Sequence, residues 1–127
     1  MQLNRASAPA PGREAQVVTK AAIRAADRLG LKSNVLCRII GLSEPTISRM
    51  RRGRYVIDPN GKSFELALLF VRLYRSLDAV VGGDDTVAAD WLTNNNTALN
   101  GKPIDLIQSI SGLVSVITYL DSRRAVV

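Results

Sequence analysis

Four arginines fall within six residues near the middle of the chain. They are Arg49, Arg51, Arg52 and Arg54, in the segment SEPTISRMRRGR. Guanidinium groups at this density suit two kinds of chemistry. One is neutralising phosphate, and the other is donating two parallel hydrogen bonds to the edge of guanine. The alternative interpretation is a charged surface helix that only keeps the protein in solution.

The spacing in this segment separates an apolar side from a cationic side if the segment is helical. At about 100° per residue, Ile47 and Met50 share one side, whereas Arg49 and Arg52 point the opposite way. An apolar anchor with cationic groups facing outward is what a recognition helix in a DNA major groove requires. The pattern therefore favours phosphate and base binding over simple solubility.

The residues at the two ends of this segment are those that begin and end helices. Ser43 is a suitable N-cap, Pro45 is tolerated in the first turn, and Gly53 suits a helix end. A shorter apolar helix is predicted over residues 32–40, with a turn at Gly41 between the two. Two short helices joined by a glycine turn are typical of a helix-turn-helix motif.

The predicted helix that follows Ser43 supplies the expected contacts with DNA. Arg49 is the expected base reader, and Ser43, Thr46, Arg52 and Arg54 are expected at phosphates. Glu44 suits the helix N-terminus, where it either accepts from a cytosine amine or faces phosphates. The expected DNA-binding residues are Ser43, Glu44, Pro45, Thr46, Ser48, Arg49, Arg52 and Arg54.

The composition disfavours an enzyme. The chain has 127 residues and no histidine, which removes Ser-His and Cys-His nucleophile pairs and most zinc sites. No glycine-rich loop that would hold phosphates is present, and no carboxylate pair has a catalytic spacing. We therefore predict no catalytic residue, metal site, cofactor or small-molecule substrate. A small enzyme is the alternative that this pattern disfavours.

The sequence also predicts a cytoplasmic protein. No apolar segment approaches about 18 residues, and the first residues lack the apolar stretch of a secretory signal. The single cysteine, Cys37, permits no internal disulfide, which fits a reducing compartment. We interpret Cys37 as a small buried apolar residue.

Charge divides the chain into two parts. Residues 1–75 hold 14 Lys and Arg against 5 Asp and Glu, for a net charge of +9, whereas residues 76–127 carry −3. A basic front and a mildly acidic back suggest two surfaces with different partners.

The apolar periodicity predicts an all-α fold of about seven helices, with an N-terminal helix-turn-helix bundle followed by a second helical domain. We predict a flexible tail over residues 1–13, a DNA-binding domain over 14–61 and the second domain over 62–127. The helix over residues 62–81 is apolar on most sides, which predicts a central position or a homodimer contact. Later helices are expected near Asp85 and Pro103, with a kink or break at Ser111–Gly112.

The sequence resembles the Xre/MbcA/ParS family of bacterial antitoxins over about residues 20–124. The segment LGLKSNVLCRIIGLSEPTISRMRRGR is similar to the family's Xre-like helix-turn-helix. The back half carries, in order, motifs similar to those of the family's toxin-binding domain. These are WL at 91–92, LNGKP at 99–103, GL at 112–113 and YLD at 119–121.

The resemblance implies an antitoxin of a type II toxin–antitoxin system. Its partner would be a RES-domain toxin that degrades NAD or transfers ADP-ribose, and the C-terminal domain would obstruct that toxin's active site. The helix-turn-helix would repress the shared operon on the bacterial nucleoid. A free-standing dimeric helix-turn-helix transcriptional regulator is the alternative.

Within the resembling domain, polar groups of the loop and the chain end are the expected toxin contacts. Trp91 is left as either a core residue or a contact residue. The expected toxin-binding residues are Asn94, Asn96, Asn100, Lys102, Asp121, Arg123 and Arg124.

Overall fold

Residues 12–125 are described by a computed structural model, and within them the all-α prediction is confirmed. The helices are α1 (Arg13–Arg28), α2 (Ser33–Ile40), α3 (Glu44–Arg51), α4 (Lys62–Val80), α5 (Asp85–Thr93), α6 (Pro103–Leu106) and α7 (Ile110–Ala125). Over the same residues there is no strand, and one isolated bridge pairs Asn96 with Gly101. The predicted tail over residues 1–13 lies outside the described residues, except for Gly12 and for Arg13, which begins α1.

Helix α4 lies at the centre of the molecule. It packs against α1, α2 and α7. Phe70, Leu73 and Leu77 are fully buried along it. Three packed neighbours require apolar side chains on three faces, which explains why the sequence of α4 is apolar on most sides. The predicted boundary between residues 61 and 62 assigns α4 to the second domain, and that boundary stays a prediction.

The helix-turn-helix is built by local sequence signals. Helix α2 buries Leu36 and ends at Gly41, whose φ of 71° lies in the left-handed region that favours glycine. Helix α3 then begins after Ser43, whose Oγ accepts a hydrogen bond from the backbone N–H of Thr46 at 3.2 Å. This bond satisfies one of the free N–H groups of the first turn and fixes the start of α3.

The expected kink at Ser111–Gly112 is wrong. The chain leaves the helical path earlier, at residues 107–109, and α7 runs through Gly112 without interruption. A Cβ at Gly112 would lie 1.9 Å from the carbonyl oxygen of Leu106. Glycine is therefore needed for the close approach of α7 to the end of α6, and not to break the helix.

No helix within residues 12–125 is long and apolar enough to cross a membrane.

Candidate DNA interface and toxin-binding surface

Helix α3 presents the two sides that its spacing predicts. Ile47 is 0% exposed and Met50 is buried beside it, so one side of the helix anchors it to the core. Arg49 and Arg52 are exposed on the other side, and Arg54 follows in the exposed turn. We call these three arginines the cationic face of α3.

Arg51 does not belong to the cationic face. Its guanidinium forms an ion pair with Asp27 near the end of α1, and its Nε donates to Ser33 Oγ at 3.2 Å. The side chain thereby ties α3 to α1 and to the start of α2. The arginine cluster thus divides into three outward groups and one that joins helices.

The remaining expected DNA-binding residues line the start and flank of α3. Ser43, Glu44 and Pro45 are exposed at the helix N-terminus. Ser48 is half-buried, and its Oγ accepts a hydrogen bond from Arg52 Nη2 at 2.8 Å. Arg52, which was expected to contact a phosphate, is thus held against the helix in the free protein.

Thr46 differs from its neighbours because its side chain is buried, with 8% exposure. Its Oγ1 lies 2.9 Å from Ser43 Oγ and accepts a hydrogen bond from Arg49 Nη2 at 2.9 Å. The hydroxyl that was expected at a phosphate is thus already bonded to the expected base reader.

Two cations of α1 extend the basic surface beyond α3. Lys20 and Arg24 are exposed, and a surface groove of about 350 Å³ places both beside Met50 and Gly53 at the end of α3. Neither was among the expected DNA-binding residues. The signal was their i, i+4 spacing, which puts both on one side of α1.

The loop over residues 94–102 is closed by its own backbone. The N–H of Asn96 donates to the carbonyl of Gly101 at 2.9 Å, and the reverse bond is 3.2 Å long. Asn96 Oδ1 also accepts from the N–H of Leu99 at 3.1 Å, and Asn100 has a φ of 64°. Asn96 and Asn100 therefore shape the loop, and Asn94, Asn100 and Lys102 are exposed on its surface.

The end of α7 is anchored to α4. Asp121 accepts hydrogen bonds from Ser76 Oγ at 2.7 Å and from Arg72 Nη2 at 2.5 Å, and Arg124 Nη1 donates to Ser76 at 3.1 Å. The Ser76 hydroxyl and then the Arg72 guanidinium hold the pKa of Asp121 below its usual value. Two of the expected toxin-binding residues, Asp121 and Arg124, thus also join helices.

A second candidate surface is formed by three side chains of α5 and α7. The rings of Trp91 and Tyr119 stack with centroids 6.3 Å apart, and the Arg123 guanidinium lies 5.9 Å from the centroid of Tyr119. Both rings are only half-buried and Arg123 is exposed. We call these residues the aromatic cluster. Trp91 is thus both a packing residue and a surface residue, and Tyr119 was missed because it follows the apolar periodicity of α7.

These features define a helix-turn-helix protein with a second helical domain joined through α4. Residues 8–72 match the model of the antitoxin Xre-like helix-turn-helix domain, and residues 76–125 match that of the antitoxin Xre/MbcA/ParS C-terminal toxin-binding domain. The chain belongs to the Xre/MbcA/ParS family of antitoxins. Comparison with curated proteins gave no match.

Neither matching domain is a catalytic one. In the part of the chain from residue 12 to residue 125, no group of three or more Cys, Asp or Glu side chains is arranged to hold a metal ion.

Proposed function

We propose that this chain is the antitoxin of a type II pair, that it neutralises a RES-domain toxin by covering its active site, and that it represses its own operon. The two activities use different surfaces. The observation that carries the proposal is the presence of both family domains on one chain, with opposite net charges in its two parts. The protein would act in the bacterial cytoplasm, without catalysis, and bind the nucleoid at its operator.

The DNA-binding part of the proposal rests on the cationic face of α3. Helix α3 would lie in the major groove with Arg49 at a base edge, and Arg52 and Arg54 would bind the flanking phosphates. Ser43 and the exposed start of α3 would contact the DNA backbone. Lys20 and Arg24 continue the positive surface on α1, which would add electrostatic affinity that does not depend on sequence.

The toxin-binding part rests on exposed groups of the second domain. Asn94 and Lys102 project from a loop whose shape is fixed by its own hydrogen bonds. A rigid loop loses little conformational freedom on binding, so its contacts contribute more to affinity. We add Trp91 and Tyr119 of the aromatic cluster to the proposed contacts, together with Arg123, because stacked aromatic residues and arginine are the side chains most enriched at binding hot spots.

We also propose that the antitoxin is a homodimer. A surface groove of about 460 Å³ runs between α1 and α4, and its lining includes Val17 at 56% exposure and Leu68 at 43%. A second copy seated on this α1–α4 groove would cover both side chains. A two-fold dimer would present two α3 helices to half-sites about one helical turn apart on a near-palindromic operator.

Co-expression tests the antitoxin function directly. The RES-domain toxin is expressed in bacteria from an inducible promoter, with and without the full-length chain, and growth and cellular NAD are measured. We expect the chain to restore growth and to co-purify with the toxin. A chain that binds DNA but neither protects cells nor binds the toxin would be the free-standing regulator.

A further inference from the structure

Helix α3 carries the proposed base reader, Arg49, and also contains a hydrogen bond that orients this side chain. Arg49 is exposed, and a long exposed arginine normally samples many rotamers, which must be restricted before it can read a base. In this protein one end of its guanidinium is already held. Arg49 Nη2 donates to Thr46 Oγ1 at 2.9 Å, one turn earlier on the same helix.

The acceptor of this bond is itself fixed. Thr46 is buried, and as a β-branched residue it has few rotamers in a helix. Its Oγ1 is also within hydrogen-bonding distance of Ser43 Oγ, at 2.9 Å, and that oxygen caps the helix by accepting from the N–H of Thr46. The N-cap, the threonine hydroxyl and the arginine thus form one continuous hydrogen-bond chain.

The bond to Thr46 leaves the guanidinium free to read a base. Arginine has five N–H donors, and Thr46 uses one of the two on Nη2. Whichever of these two hydrogens Thr46 uses, the other forms a two-donor fork with an N–H of Nη1 or with that of Nε, and this fork can pair with guanine O6 and N7. The contact therefore orients the guanidinium and leaves one fork free.

We propose that Thr46 is a positioning residue for sequence recognition, and that its buried hydroxyl holds the Arg49 guanidinium towards guanine. Thr46 was expected to contact a phosphate; the role proposed here is exerted instead through Arg49. It rests on the proposed DNA binding by α3. The same hydroxyl joins the cap of α3 to its base reader, so the start of the helix and the recognition of one base pair depend on each other.

The test is a selection from a DNA duplex pool randomised over about two helical turns. The full-length wild type, Thr46→Val, Thr46→Ser and Arg49→Ala are each used to enrich bound sequences. Dissociation constants are then measured for the enriched sequence and for its single-base substitutions. Thr46→Val keeps the volume of the side chain and removes the hydroxyl, whereas Thr46→Ser keeps the hydroxyl. Thermal unfolding and circular dichroism verify that each variant is folded.

We expect Arg49→Ala to lose about 5- to 150-fold discrimination at one base pair of each half-site. Thr46→Val should lose about 2- to 12-fold at that same base pair, the effect of leaving one long side chain unrestrained. Thr46→Ser should retain most of the discrimination, and binding to random duplex should be equal for wild type and both Thr46 variants.

The outcomes separate this inference from the proposed function. If the wild type enriches a sequence and Thr46→Val discriminates as the wild type does, the positioning role is overturned while DNA reading stands. A uniform loss on specific and random DNA would assign Thr46 a phosphate contact and also overturn the role. If the wild type enriches no sequence, both proposals fail together.

Discussion

Arg72 and Asp121 join α4 to the last turns of α7, with Arg72 Nη2 2.5 Å from Asp121 Oδ2. The second oxygen of the same carboxylate accepts from Ser76 Oγ at 2.7 Å. One carboxylate near the end of the chain is therefore bonded at both oxygens to the central helix. An acidic residue that the sequence alone presents as a surface group thus fixes the position of the whole C-terminal turn.

The first prediction concerns the pH dependence of stability. Ser76 and Arg72 lower the pKa of Asp121 in the folded protein. The stability that the ionised Asp121 contributes is therefore fully present above the ordinary pKa of an aspartate, about 4, and is lost as the pH falls through the lower pKa of the folded state. Asp121→Asn should therefore reduce the midpoint of thermal unfolding near pH 7, and the difference from wild type should shrink as the solution is acidified. Asp90→Asn, an exposed carboxylate on α5, separates this effect from the loss of one negative charge. A difference that is constant from pH 7 to pH 2 would contradict the prediction.

The second prediction concerns the arginines of α3. Arg49→Ala should cost about 1–3 kcal/mol in binding the selected sequence and relax preference at one position. Arg52→Ala and Arg54→Ala should weaken all sequences alike and reduce the salt slope by about one unit each. Filter binding or fluorescence anisotropy over a salt series measures both quantities.

Arg51→Ala is the matched control, because it removes the same charge from the same helix. Arg51 is paired with Asp27, so we expect a smaller change in salt slope than for Arg52. Its loss should lower the free energy of unfolding by up to about 1 kcal/mol, as for a partly exposed ion pair. Identical salt slopes for all four arginine variants would show that Arg51 contributes to DNA binding as the three arginines of the cationic face do.

The third prediction concerns Gly112. Gly112→Ala should lower the free energy of unfolding by about 1–3 kcal/mol or more, because its Cβ would overlap the carbonyl of Leu106 and force α6 and α7 apart. The matched control is Gly101→Ala, whose Cβ would lie 3.8 Å from a methyl carbon of the same Leu106, an ordinary contact. Urea denaturation of both variants tests the difference, and equal stabilities would count against the close approach.

How far the sequence predicts the structure depends on how local each signal is. The cap at Ser43 and the opposed sides of α3 follow from residues within one or two turns, and the structure has both. The partner of Arg51 lies 24 residues earlier, and that of Asp121 lies 49 residues earlier, so no periodicity indicates them. Gly112 was misinterpreted because glycine serves both turns and close contacts, and only the position of Leu106 distinguishes the two.

The fourth prediction concerns assembly. Leu68→Arg should convert the proposed dimer into a monomer, because it adds a positive charge beside Arg72 and Arg75 in the α1–α4 groove, which would be buried against the second copy. Val87→Arg is the control, since Val87 is 47% exposed on α5, away from this groove. Sedimentation at tens of micromolar without toxin gives the mass of each. A monomeric wild type would contradict the proposal of a homodimer.

The fifth prediction concerns toxin neutralisation. Arg123→Glu should weaken toxin binding and protection of cells, because it reverses the charge of the exposed member of the aromatic cluster, while leaving the unfolding midpoint close to that of wild type. Arg24→Glu makes the same charge change on α1 and should impair DNA binding but not protection. Calorimetric titration with the toxin and growth assays compare the two. Full protection by Arg123→Glu would move the contact surface to the loop that carries Asn94 and Lys102.

The central position of α4 has a consequence for how long the two proposed activities last in a cell. Because α4 packs against α1 and α2 as well as α7, the buried apolar side chains of residues 12–125 form one cluster that includes those of α4, and the DNA-binding and toxin-binding parts share it. Opening either end exposes Phe70 and its buried neighbours to solvent and to proteases. The molecule should therefore melt in a single transition and be degraded as a unit. The lifetime of the repressor and the lifetime of the toxin inhibitor would then be one and the same.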